Sequence, residues 1–113
     1  MKNILFLLFL TLPLFAFTQN ATKWQQKNSD KISNYVIDKM NLNKKDAAFF
    51  SKVQLAQIVE NANNIKESGA SSAEEKKAIY SVGYSNIKAK LNKRFGNKLA
   101  QEILKVANEA RKQ

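Results

Sequence analysis

Ser85-Asn86-Ile87-Lys88 places a hydroxyl three residues ahead of an amine, the S-x-x-K spacing of periplasmic acyl-enzyme families. The pattern is short, and a lysine-rich chain with eight serines beyond residue 18 is expected to hold about one such match by chance. Those families carry the pair on a large α/β scaffold that a chain of this length cannot build. No histidine and no cysteine is present, so the usual general base at neutral pH and the usual metal ligands are both missing. Glu74 and Glu75 are adjacent carboxylates, but they stand where a helix begins, and capping and dipole effects account for them. Neither a calcium loop nor a glycine-rich phosphate loop occurs, and the Asn20-Ala21-Thr22 sequon carries little weight in a bacterial chain. The residues therefore point to a binding protein without metal or cofactor, not to an enzyme.

Basic side chains carry more information. Lys88, Lys90, Lys93, Arg94 and Lys98 cluster late in the chain, Lys76 and Lys77 precede them, and Lys44, Lys45 and Lys52 form an earlier group. A solvated face that keeps a small protein in solution is the plain explanation. Lysines without acidic partners one helical turn away leave a net positive field, which favours recruitment of anions over internal pairing.

The compartment decides which anions matter. Residues 1–18 read as a secretory signal peptide: Lys2 supplies the positive start, and Ile4 to Phe17 is an apolar run interrupted only by Thr11 and Pro13. That run is too short for a spanning helix, which needs about 20 apolar residues. Small residues at Ala16 and Thr18 suit cleavage before Gln19, and Ala16 could also be the last residue removed. The expected mature chain, residues 19–113, is one all-helical domain in the periplasm, and removing Lys2 leaves 18 basic against 9 acidic residues, a net charge of +9. In the cytoplasm that balance would suggest nucleic acid first. After export nucleic acid is not expected, and lipid headgroups, anionic polymers and acidic unfolded proteins take its place.

Glycine and proline are scarce beyond residue 18, with Gly69, Gly83 and Gly96 the only glycines, so long helices are predicted and no strand pattern competes. The fold class is all-α, with three to four amphipathic helices in a small hairpin or bundle. A first helix spans Thr22 to Met40 with a Thr22/Gln25 capping box and an apolar face of Trp24, Ile32, Tyr35, Val36 and Met40. Asn43 caps a second, from Lys44 to about Glu67, with Asp46 at its third position. This helix has two apolar faces: Ala47, Ala48, Leu55, Ile58, Val59, Ala62 and Ile65 on one, Phe49, Phe50, Val53 and Ala56 nearly opposite. Either its first half is sandwiched between neighbouring helices, or the second face is a surface for partners.

A third helix follows the turn at residues 67–72, capped by Ser71 with Glu74 or by Ser72 with Glu75, and runs to about Phe95. Tyr80, Tyr84, Ile87, Leu91 and Phe95 form one narrow stripe of the kind that packs along a facing helix, and Gly83 beside it lets another backbone approach. Gly96 ends this helix as a left-handed residue, and Asn97 caps a fourth whose face is Leu99, Ile103, Val106, Ala107 and Ala110.

These features together resemble the small helical periplasmic stress proteins of the Spy and CpxP kind, which have a signal peptide, a basic helical mature region and L-T-x-x-Q motifs where a turn enters a helix. Leu42-Asn43-Lys44-Lys45-Asp46 occupies that context, with Asn in place of Thr as the cap and Asp in place of Gln. Phe95-Gly96-Asn97-Lys98-Leu99 shares only the position before a terminal helix. The resemblance implies a thin, curved helical dimer whose concave basic face holds unfolded proteins without ATP. Relatives that sense metals do so through histidine or cysteine, which this chain lacks.

Two functions follow as expectations. In the first, an ATP-independent holdase for unfolded or envelope proteins contacts clients through Phe49, Phe50 and Val53 beside Lys44, Lys45 and Lys52. In the second, an envelope-associated module binds anionic polymer or lipid headgroups through Lys88, Lys90, Lys93, Arg94 and Lys98. A homodimer is expected to cover the surplus apolar surface of the two-faced helix.

Overall fold

The computed structural model describes residues 21–113, which fold as four α-helices: α1 (Lys23–Met40), α2 (Lys44–Ser68), α3 (Ala73–Phe95) and α4 (Asn97–Arg111). The signal-peptide assignment falls on residues 1–18, outside the described residues. No described helix is long and apolar enough to cross a membrane.

Local chemistry explains where each helix starts. Thr22 caps α1 through a full capping box, its hydroxyl accepting from the Gln25 N–H at 3.1 Å while the Gln25 side chain accepts from the Thr22 N–H at 2.9 Å. Asn41 ends α1 in the left-handed conformation that asparagine tolerates, and Asn43 then accepts from the Asp46 N–H to start α2. Gly69 closes α2 with a positive φ of 69°. Of the two boxes open to α3, Ser72 with Glu75 is the one formed.

The α3–α4 corner differs from expectation. Gly96 has φ 86° and ψ 159°, an extended backbone on the glycine-only side of the map, not the left-handed helical cap. Gly96 serves as the boundary for both helices, and Asn97 is the first residue of α4 instead of its cap. Only a residue without Cβ turns the chain this sharply between two adjoining helices.

Each helix packs on its neighbours in sequence, and α1 also packs on α4, so the four close into a ring. Asp46 meets Arg94, and Asn61 approaches Gly83, so α2 and α3 run antiparallel. The core holds Ile32 and Val36 from α1, Phe50 from α2, Ile87 and Leu91 from α3, and Ala100, Ile103, Leu104, Val106, Ala107 and Ala110 from α4. Phe50 has no exposed surface at all, while Leu55 and Val59 on the other face of α2 are also buried. The first half of the two-faced helix is thus sandwiched within one chain.

Helix lengths set up the rest. With 25 residues, α2 is ten residues longer than α4, about 15 Å at 1.5 Å per residue. The α2–α3 hairpin therefore continues beyond the end of α4, and the core does not.

Candidate functional site

A cleft of about 590 Å³ opens where the α2–α3 hairpin outruns α4. Trp24, Asn28 and Ile32 of α1 line one side, Gln54, Gln57, Ile58, Asn61, Ala62 and Ile65 of α2 the floor, and Tyr80, Gly83, Tyr84 and Ile87 of α3 the other side, with Leu104 and Arg111 of α4 at the end. Its lining is mostly apolar, with a few convergent polar groups, and its size lies within the range of sites for small organic ligands. The stripe predicted on α3 explains its aromatic wall. Ile87 and Leu91 are buried as that stripe requires, but Tyr80 and Tyr84 each remain 51% exposed, with α4 ending at Arg111 beside Tyr84. Trp24, 70% exposed, stands on the α1 side.

The polar groups are more unusual than the rings. Gln54 is 1% exposed and Gln57 5%, and the Oε1 atom of each has no hydrogen-bond partner among the described residues. Gln57 is held in a fixed orientation. Its Nε2 donates to Glu60 Oε2 at 2.9 Å and to Asn61 Oδ1 at 3.0 Å, and because a carboxylate only accepts, the nitrogen must face that side. Its oxygen is left facing away from both partners. A buried acceptor without a donor is costly, by about 1–3 kcal/mol, and such atoms are rare in folded proteins. Ser33 Oγ and Asn92 Oδ1 also lack partners but lie outside the cleft.

Gly83 completes the arrangement. A Cβ at this position would fall on the Asn61 side-chain amide, so glycine makes room for the group that fixes Gln57. The close approach expected at Gly83 does occur, though a side chain approaches and not a backbone. Arg111, exposed at the end of α4, supplies the cleft's cation: partial desolvation pushes its pKa below the ordinary value, the nearby Tyr84 phenol opposes that shift, and the guanidinium stays charged at neutral pH.

The residues predicted from sequence lie at the other end of the bundle. Phe50 is a core residue and offers no surface to a client, which corrects its assignment as a contact. Val53 is half-buried against the core. Phe49, also half-buried, meets the Phe95 ring edge-on at 5.9 Å and lies under the Arg94 guanidinium, 4.7 Å from its centroid. Arg94 in turn donates through Nε and Nη2 to Asp46 Oδ1 at 3.2 and 3.0 Å. One carboxylate and two rings thus engage Arg94, whose side chain stays 37% exposed. Lys44, Lys45, Lys52, Lys90, Lys93 and Lys98 are exposed and Lys88 is half-buried. Because Asp46 pairs with Arg94, the two lysine groups, far apart in sequence, share the end where α2 starts and α3 finishes.

Ser85 is exposed and Lys88 half-buried on α3, neither of them lining the cleft, and no group of acidic, histidine or cysteine residues suited to a metal occurs among the described residues. Sequence reasoning missed Gln54, Gln57, Asn61 and Arg111. Their signal was present: positions 54, 57 and 61 have the i, i+3, i+7 spacing of an inward-facing stripe, and amides at inward positions mark a polar site. No protein family, curated protein or solved structure matches the chain.

Proposed function

We propose that this chain is an exported binding protein that holds apolar segments of unfolded or envelope proteins in the α1–α2–α3 cleft, without ATP and without a cofactor. The observation that carries this reading is the pairing of exposed rings, Trp24, Tyr80 and Tyr84, with two buried amide oxygens that lack donors. An extended polypeptide offers the matching groups, apolar side chains for the rings and backbone N–H groups for Gln54 and Gln57. Positive charge speeds encounter, and a small apolar contact keeps release fast. The chemistry is that of the holdase expected from sequence, but its contact surface moves from Phe49, Phe50 and Val53 to the opposite end.

The gathered lysines favour a second reading, in which Lys44, Lys45, Lys52, Lys90, Lys93 and Lys98 bind anionic polymer or lipid headgroups. One experiment separates the two. Suppression of aggregation of a denatured enzyme is measured by light scattering for the native protein and for Trp24→Ala combined with Tyr84→Ala, together with sedimentation on anionic and neutral liposomes. The cleft reading expects the double variant to keep its fold and its liposome behaviour while losing most of the suppression. Undiminished suppression that disappears at high salt would transfer the activity to the lysines.

A further inference from the structure

The cleft combines three kinds of group that one segment of a polypeptide satisfies together. Ile58 and Ile65 belong to the apolar floor and Ile87 to the α3 wall, Gln54 and Gln57 carry buried amide oxygens without donors, and Arg111 presents a cation at the α4 end. An internal segment has side chains and N–H groups but no obligatory negative charge. A chain terminus ending in an apolar residue has all three: a side chain for the floor, backbone N–H groups for the glutamine oxygens, and a carboxylate for the guanidinium. We infer that the cleft is a site for the carboxyl-terminal residues of a polypeptide whose last residue is apolar.

The inference rests on the cleft reading proposed above and adds the chemistry of the occupant. The Arg111 cation favours it over capture of any apolar segment, and two further points concern how Gln57 is held. Glu60 and Asn61 hold the Gln57 amide nitrogen, which leaves its buried oxygen without a donor beside the cleft. Gly83 gives up the helix-favouring alanine side chain to admit Asn61. Arg111 is the only basic residue in the lining, and Glu60, the acid nearest the glutamines, already accepts from Gln57. The guanidinium matches a carboxylate through two parallel N–H groups, a fit that a lysine would not provide.

Titration calorimetry with the purified protein tests it, using acetyl-Ala-Ala-Phe-Leu as the free acid, the same peptide as its terminal amide, and acetyl-leucine. The free acid is expected to bind about tenfold more tightly than the amide, the effect of one partly exposed charge-assisted contact. Arg111→Gln should erase that preference and leave amide binding unchanged. Lys112→Gln removes the same charge from the next residue and should leave the preference intact, which separates a direct contact from general attraction to a basic protein. Gln57→Met should weaken both peptides alike. Equal binding of acid and amide to the native protein would overturn the inference and leave the cleft reading standing, whereas failure of both peptides to bind would remove both. Acetyl-leucine binding as tightly as the tetrapeptide would make the occupant a free small acid and overturn the polypeptide assignment.

Discussion

At the end of the bundle where α1 turns into α2 and α3 into α4, the large apolar side chains are packed. Phe50 is enclosed, Phe49 is covered by Phe95 and Arg94, and Asp46 neutralises the guanidinium that covers it. At the opposite end the same α2 and α3 continue past α4 and line an open cleft: Tyr80 and Tyr84 of α3 and Trp24 of α1 are exposed, and two amide oxygens of α2 have no donor. One pair of helices thus serves as core at one end and as cleft walls at the other, and the difference lies in helix length, not composition. Gln54 is polar yet 1% exposed, while Trp24 is largely apolar yet 70% exposed. Hydrophobicity alone does not separate a core face from a binding face; the presence or absence of a facing helix does.

The sharpest way to break this comparison is to truncate one ring at each end. Phe50→Ala removes a fully buried ring and should cost about 3–5 kcal/mol, enough to lower the melting temperature of a domain of this size by at least about 12 °C. Trp24→Ala removes a ring already mostly in water and should change stability by less than about 1 kcal/mol. Thermal melts followed by circular dichroism give both values. Comparable losses from the two substitutions would mean that Trp24 is packed and that the open end is closed in solution.

A smaller effect on stability, with a larger one on capture, is expected of Gly83→Ala. Alanine gains about 1 kcal/mol in a helix interior, while its methyl group displaces Asn61 and breaks a hydrogen bond of about 1 kcal/mol. The melting temperature should stay nearly unchanged as the two terms offset. With Asn61 displaced, Gln57 loses its fixed orientation, and suppression of client aggregation should fall. A variant that keeps full suppression would show that the ordering of Gln57 has no part in binding.

The same contrast explains what could be read from sequence and what could not. Three of the four helix starts were legible because capping is local: Thr22 with Gln25, Asn43 with Asp46 and Ser72 with Glu75 each act within four residues, whereas the fourth helix starts at Asn97 with no side-chain cap. The four-helix architecture followed from those caps and from the scarcity of glycine. Periodicity placed Tyr80 and Tyr84 on one stripe with Ile87 and Leu91, but it treats all members of a stripe alike. Whether a given member is covered depends on where α4 stops relative to α2, a tertiary relation that no window along the chain contains. Asp46 and Arg94 lie 48 positions apart, so their pairing, which joins the two lysine groups and engages Arg94, was equally out of reach. The change from tyrosine to aliphatic residues along the α3 stripe was the legible hint, since a ring with a polar tip suits a position with one wet side.

The smallest expected effect concerns the start of α3, on the hairpin that forms the open end. Glu75 accepts from the Ser72 hydroxyl at 2.9 Å and from the Ser72 N–H at 3.3 Å, and these bonds hold its pKa below the usual carboxylate value of 4.5. A carboxyl group whose native pKa is lowered adds stability that is complete above the unfolded value and is lost as pH falls through the native one. The cap should therefore hold near neutrality and weaken only in acid, below the ordinary titration range of an exposed glutamate. Because Glu75 is fully exposed, the global melting temperature should hardly register it. Residue-level NMR should: the Ser72 and Glu75 amide signals are expected to shift together with a midpoint below 4.5, and hydrogen exchange in the first turn of α3 to accelerate over the same range. If the turn frays with no change at Trp24 or Tyr84, the cleft depends on where the long hairpin stands and not on how tightly its tip is capped; if their signals move as well, the open end is coupled to its own cap, and acid would release whatever it holds.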